Sequence, residues 1–267
     1  MKKREDLILY DVSLRDGLQS ISRVYTLDEK KEILDEIIRK NMSKKIEVGS
    51  LVSYKLIPQM KESIDVYKYG IKKYKDVKLY LLIGNYKKLE EAIIDGVKNM
   101  SFIVSFSDSF QKKNTMKNKK ESKEELIKIS NKLKDKGLKE NKLYISCYNK
   151  CPIEGKIEDK VIIEDLEEYD KIYGIEEICL SDSMGNISYE DIKGLLNKIK
   201  LKIDIKKISL HLHYREGKIN EIKKIIKYAI SIGINKYDVS NIEGGGCIVS
   251  IDKKELSKNI NYNMIEE

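Results

Sequence analysis

The sequence predicts an α/β fold in which eight parallel strands close into a (β/α)8 TIM barrel, and three observations carry that prediction. Short β-branched runs alternate with amphipathic helical stretches along the 267 residues, at roughly 33 residues per βα unit, a spacing that suits right-handed crossovers between parallel strands. Eight such units fit one barrel domain of about 250 residues. Acidic, Arg, His, Gly and Cys residues fall just after the strands, where a barrel gathers its active site at one mouth. A doubly wound open sheet is the structural alternative.

Taken in order, the first strand is expected at 7–12, followed by a turn bearing Arg15, Asp16 and Gly17. A helix at 26–40 comes next, because Ile33, Leu34, Ile37 and Ile38 share a face. The second strand, 45–48, leads into Gly49 and Ser50, and the third is 77–83. The fourth, 101–106, ends before Ser107 and Asp108, and a helix at 121–136 puts Leu126, Ile129 and Leu133 on one stripe. The fifth strand, 142–147, runs into a loop from Cys147 to Gly155. The sixth, 177–180, precedes Ser181 and Asp182, while the seventh, 208–213, ends on His211 and His213. The eighth, 236–240, precedes Gly244, Gly245, Gly246 and Cys247. Residues 252–267 read as a closing helix, so that 1–267 is expected to form a single catalytic domain with a shortened C-terminus. Pro58 and Pro152 fall in loop or helix-start positions that suit a fixed φ.

Composition narrows the function classes. The chain is 41% hydrophobic and 36% charged, which is globular rather than disordered. Its net charge of +8 comes from 52 basic and 44 acidic residues, with lysines spread beside acidic partners as on a solvated surface. Only 111–123 is locally Lys-rich, so no nucleic-acid partner is expected. No apolar run approaches about 20 residues, which argues against a membrane span. Four cysteines (Cys147, Cys151, Cys179 and Cys247) do not make a disulfide scaffold in a chain of this length, and no secretory segment opens it. A cytoplasmic protein with reduced thiols is expected.

The chemistry converges on the histidines, of which there are two. His211 and His213 are two apart on a strand, so both imidazoles point to one face and can share one metal ion. A borderline cation held by two imidazoles calls for a hard third ligand. Asp16 supplies it, because strands one and seven are separated in a closed barrel only by strand eight. Such a set leaves positions for substrate oxygens and suits Lewis-acid catalysis. Arg15 can stabilise a developing enolate in a water-poor pocket or form an ion pair with Glu47 or Asp182. Gln19 is either a supporting donor or polar loop filler. Cys247, after three glycines, can deliver a proton or act as a nucleophile, whereas a single Cys otherwise reads as a small buried hydrophobe. Cys147 and Cys151 lack the further ligands of a structural zinc site. Cys179, inside an apolar strand, reads as core.

These residues resemble the 3-hydroxy-3-methylglutaryl-CoA lyases, within the larger group of metal-dependent acyl lyases and synthases. The segment 11–19, DVSLRDGLQ, is similar to the group's first-strand signature, whose Arg stabilises an enolate and whose Asp binds metal. The segment 47–60, EVGSLVSYKLIPQM, resembles the lyase stretch that reads SFVSPKWVPQM. Residues 105–114, SFSDSFQKKN, resemble its SExFxKKN loop, and 146–156, SCYNKCPIEGK, its SCxxxCPxEGK loop. His211 and His213 match the family's HxH metal pair, and Cys247 its glycine-loop catalytic acid. Coverage runs from about residue 7 to residue 247.

The resemblance implies a homodimeric C–C lyase that cleaves a 3-hydroxy acyl-CoA by retro-Claisen chemistry. In it Asp16, His211 and His213 hold Mg²⁺ or Mn²⁺, and Glu47 and Asp182 are active-site acids. His211 or a metal-bound group takes the hydroxyl proton, Arg15 stabilises the enolate and Cys247 protonates it. Gln19, Lys112, Lys113 and Asn114 are the expected substrate and CoA contacts. The family's HxH is followed by Asp or Asn, where Tyr214 stands here. Its fourth ligand is an Asn after the glycine loop, for which Asn259, read as helical, is the one weak candidate. Two alternatives accompany this reading. One is a synthase that condenses an acyl-CoA with a 2-oxo acid, and the other is a degenerate barrel that binds acyl-CoA without turnover.

Overall fold

Alternating residues on each β-branched run face opposite sides of a strand, and both sides are buried, which is the condition for a closed parallel sheet wrapped in helices. The computed structural model describes residues 6–40, 42–242, 244–245 and 257–266. Its strands are β1 (Ile8–Asp11), β2 (Lys45–Ser50), β3 (Lys78–Leu82), β4 (Asn99–Ser105), β5 (Asn141–Ser146), β6 (Lys150–Cys151), β7 (Gly155–Lys156), β8 (Ile175–Ser181), β9 (Ile208–His211), β10 (His213–Tyr214), β11 (Lys236–Val239) and β12 (Lys258–Asn259). Eight of them form a closed parallel barrel in the order β1-β11-β9-β8-β5-β4-β3-β2. Closure is made by β1, which pairs with β11 from Ile8↔Lys236 to Asp11↔Val239 and with β2 at Tyr10↔Lys45. All eight strands expected from the sequence are present, and β11 separates β1 from β9 as expected.

The helices are α1 (Leu27–Arg39), α2 (Ser63–Lys73), α3 (Tyr86–Ile94), α4 (Asp108–Thr115), α5 (Lys119–Asp135), α6 (Asp159–Tyr169), α7 (Tyr189–Ile199), α8 (Ile219–Ser231) and α9 (Tyr262–Glu266). Helix α1 starts where Thr26 and Glu29 form a capping box, and α5 where Asn118 and Glu121 form another. The second box moves the start of α5 two residues ahead of the expected 121. None of the described helices is long and apolar enough to cross a membrane.

The outward strand residues, among them Val48, Leu81, Phe102, Ile145, Leu180 and Leu210, join the inward helix faces in one continuous apolar core. The inward residues are of another kind. Glu47, Ser101, Lys142, Tyr144, Glu177, His211 and Asp238 are all buried, and they bond to one another across the barrel axis. Cys179, expected in the core, is fully buried and clusters there with Leu82 and Tyr144, with its thiol 4.0 Å from Asp238.

The C-terminal segment differs from the expected single helix. Among its described residues only Tyr262–Glu266 is helical, and Lys258–Asn259 is extended, pairing antiparallel with His213–Tyr214. The seventh strand is interrupted at Leu212, whose carbonyl accepts a hydrogen bond from the Ile260 amide at 3.3 Å. The Ile260 carbonyl in turn accepts from the Ser240 amide at 2.9 Å. The returning chain is thus wedged between the ends of β9 and β11. A helix-biased reading failed here because backbone pairing with a distant strand overrode local pattern.

Candidate active site and metal centre

Strand alternation would put Arg15 and Asp16 on opposite faces, yet both are in the site. The reason is a single π-helical turn, Ser13–Gly17, in which the Gly17 amide donates to the Val12 carbonyl at 3.0 Å. Ser13 anchors its start, donating its amide to Asp11 Oδ1 at 2.8 Å. Such wide turns recur at functional sites because they re-aim side chains.

Asp16 is the hub. Its Oδ1 accepts from Arg15 Nη1 and from Gln19 Nε2, each at 2.5 Å. Its Oδ2 lies 3.2 Å from His213 Nε2, 3.6 Å from His211 Nε2 and 2.8 Å from Asn259 Nδ2. Burial alone would raise the Asp16 carboxyl, but Arg15 and the two imidazoles hold it well below the usual carboxylate range. One oxygen of Asp16 and one nitrogen of each histidine lie within 4.8 Å of one another, all buried.

The other ring nitrogens explain why these are the ones presented. His213 Nδ1 donates to the Asp182 carbonyl at 2.5 Å, and His211 Nδ1 faces Asp238 Oδ2 at 3.0 Å. Two imidazole nitrogens and a carboxylate converging in a buried site form a donor set suited to a divalent cation. The residues therefore fit a metal, and Asn259, whose amide carries an oxygen beside its nitrogen, stands at its edge.

Arg15 is pinned on the far side by Glu47, which its Nε contacts, and its ring-facing guanidinium lies 5.0 Å from the centre of Tyr144. Burial would lower its affinity for the proton, but Glu47 and Asp16 outweigh that and keep it charged. Glu47 accepts further bonds from Ser101 and, at 3.3 Å, from Tyr144. Glu47 is thus brought to the site as the support of Arg15. Asp182 is brought there mainly by its backbone. Its carboxylate turns into its own loop, where Oδ1 accepts from the amides of Met184 and Gly185, each at 3.1 Å, and burial raises it above the usual range.

A cavity of about 540 Å³ opens onto this set. Its inner end is lined by Arg15, Asp16, Gln19, His211 and His213, and its outer part by Tyr54, Lys55, Lys88 and Asn114. Of the expected α4 contacts, Asn114 lines the cavity, whereas Lys112 and Lys113 are exposed beside it. The lysines that line the cavity are Lys55 and Lys88, the latter paired with Glu91 at 2.5 Å. Cys247 lies outside the described residues. The described glycines before it explain the loop's composition. A Cβ on Gly244 would stand 1.9 Å from the Gly17 carbonyl oxygen, and one on Gly245 would stand 2.8 Å from the His213 ring. Only glycine allows the backbone this close.

The family model described as HMGL-like matches residues 6–218. The chain belongs to the HMGL-like family. It is 29% identical over 243 residues to the mitochondrial hydroxymethylglutaryl-CoA lyase of Pongo abelii, covering 90% of this chain and 71% of that one. Among solved structures, the Bacillus subtilis HMG-CoA lyase matches with a TM-score of 0.88 at 26% identity, over 99% of this chain and 86% of the other. An Acinetobacter baumannii HMG-CoA lyase in complex with coenzyme A and 3-methylmalate matches with a TM-score of 0.86 at 26% identity, over 99% and 84%. Both likenesses extend beyond the family model, through the C-terminal segment that carries Asn259.

Three residues packed against the site escaped sequence reading: Asp238, Lys142 and Tyr144, which lie behind His211. A signal existed for Asp238 and Lys142, since a charged residue at an inward position of a buried strand has to meet a partner there. Asn259, the one candidate for a fourth ligand, lies beside Asp16, on an extended segment and not on the expected helix.

Proposed function

We propose that the chain is a metal-dependent carbon–carbon lyase that cleaves 3-hydroxy-3-methylglutaryl-CoA into acetyl-CoA and acetoacetate. The observation that carries this reading is the convergence of Asp16, His211 and His213 within 4.8 Å, at the inner end of a cavity that Arg15 also lines. Mg²⁺ or Mn²⁺ held there supplies Lewis-acid polarisation of substrate oxygens. Cleavage moves the 3-hydroxyl proton to a base in the site, breaks the C2–C3 bond, leaves the hydroxyl-bearing carbon as the ketone of acetoacetate, and passes the electron pair to the thioester enolate. Arg15, charged and held by Glu47, places its guanidinium where that negative charge develops. Cys247 is the proton donor that completes acetyl-CoA, carried by a glycine stretch that packs against Gly17 and His213. Of the two roles open to His211, ligation has the better support, because only its Nε2 is turned toward Asp16. Lys55, Lys88 and Asn114 take the anionic CoA moiety at the outer cavity.

The lyase relatives favour cleavage over the condensing direction, and an assembled donor set with Asn259 beside it favours turnover over a degenerate barrel. The test is incubation with Mn²⁺ and 3-hydroxy-3-methylglutaryl-CoA while acetoacetate and acetyl-CoA are measured. Equal amounts of the two products are expected. No product from protein with Mn²⁺ demonstrably bound would overturn the substrate assignment and leave the fold untouched.

A further inference from the structure

The two histidines are held by different partners. His213 donates its Nδ1–H to a backbone carbonyl, that of Asp182, which every residue type would supply. His211 faces a buried carboxylate, Asp238, which is itself clamped on both oxygens. Asp238 Oδ1 accepts from Lys142, and Oδ2 lies 2.9 Å from Tyr144 Oη and 3.0 Å from His211 Nδ1. Lys142 is in turn fixed by Glu177 at 3.0 Å and by the face of the Tyr10 ring, 3.9 Å from its centre. A carboxylate only accepts, so every neighbour of Asp238 must donate to it. Lys142 takes the far oxygen, which leaves Oδ2 for the imidazole.

We propose that Asp238, held by Lys142, is a positioning residue that fixes His211 as its Nδ1–H tautomer and so presents the Nε2 lone pair toward Asp16. A carboxylate behind a ligating histidine sets ring orientation and ligand strength. This inference rests on the metal-site reading above, but its first test does not need a metal. With two histidines in the whole chain, ¹⁵N-histidine spectra resolve both rings, and His213 serves as an internal reference.

In metal-free wild-type protein at pH 9.5, with the rings neutral, His211 is expected to carry its proton on Nδ1. A proton on Nε2 would overturn the proposal, whatever any variant does. The variant D238N sharpens it. An amide has one oxygen, and Lys142, which only donates, claims it. The amide NH₂ then faces His211, and the ring moves to the Nε2–H tautomer, which blocks the metal-facing nitrogen. We expect Mn²⁺ affinity to fall about 10–100-fold by electron paramagnetic resonance titration, while the His213 signals stay in place. The double variant K142M/D238N frees the amide oxygen to turn to His211, and is expected to restore the Nδ1–H signal and part of the affinity. A merely structural role for Asp238 would not produce that rescue. Mn²⁺ binding by D238N within twofold of wild type, with His211 still Nδ1–H, would sink the idea. Absence of Mn²⁺ binding by the wild type would instead overturn the metal reading on which it rests.

Discussion

The outward and inward faces of the same eight strands are built from opposite chemistry. On β9, Ile208 and Leu210 face out into the apolar core, while Ser209 and His211 alternate with them and face in. On β5, Leu143 and Ile145 face out, and Lys142 and Tyr144 face in. The outward face gains free energy from apolar burial, at about 25 cal/mol per Å². The inward face carries desolvated charges, which are tolerated only because Arg15, Glu47, Lys142, Glu177 and Asp238 pair with one another. One face therefore holds the molecule together, and the other carries the groups proposed to bind a cation and stabilise an enolate. Substitutions on the two faces should separate stability from chemistry.

The largest effect is expected inside. Arg15→Lys keeps a positive charge but loses the fork that spans Glu47 and Asp16. Its kcat should fall roughly 10²–10³-fold, as when a charge-stabilising donor is removed. Mn²⁺ affinity measured by calorimetry should change only a few-fold. A kcat within tenfold of wild type would break the comparison. Outside, Leu210→Ala removes a fully buried side chain from the core. It should lower unfolding free energy by about 3 kcal/mol in urea titration, with kcat per folded molecule unchanged. A matching loss of kcat would show that the two faces are not independent.

The third prediction concerns Asp11, which faces out from β1 and is fully buried, with Tyr262 donating to it at 2.6 Å. Burial pushes its carboxyl up to about 6, against the opposing hydrogen bonds from Tyr262 and Ser13. Because the folded value lies above the unfolded 3.8, the protonated form favours folding. The associated stability is present below pH 4 and is lost as pH rises through about 6. Wild type should thus lose roughly 2–3 kcal/mol across that window relative to Asp11→Asn. Parallel pH–stability curves for the two proteins would remove the claim. On the inward face the direction is reversed for Glu177 and Asp238, which pair with Lys142. Asp238 would be raised by burial, but Lys142 and His211 bring it down to about 2.

Much of the site was legible because it depends on short-range geometry. The HxH pair places both imidazoles on one face by strand alternation, and a strand-end Asp16 two strands away follows from barrel closure. The paired roles of Arg15 and Asp16 were readable, but not the π-helical turn that makes them neighbours in the site. Lys112 and Lys113 are exposed on α4 outside the cavity lining, and a basic run says nothing about which side of a helix faces a cavity. Asp182 was read as an acid in the site, and its placement depends on loop amides two and three residues on, which claim its Oδ1.

The sequence by itself determined the strand count, the order of the units and the three converging donors, because periodicity and strand-end position are local properties of the chain. Only the tertiary structure decided what stands behind and beside those donors. Asn259 reaches Asp16 from 243 positions away, and Lys142 meets Asp238 across 96. Contacts of that range leave no periodic trace, since they are fixed by barrel closure and by the returning C-terminal segment. The physical consequence is a division of labour in which local pattern brings the three donors to one place, and long-range packing sets what faces the other nitrogen of each histidine.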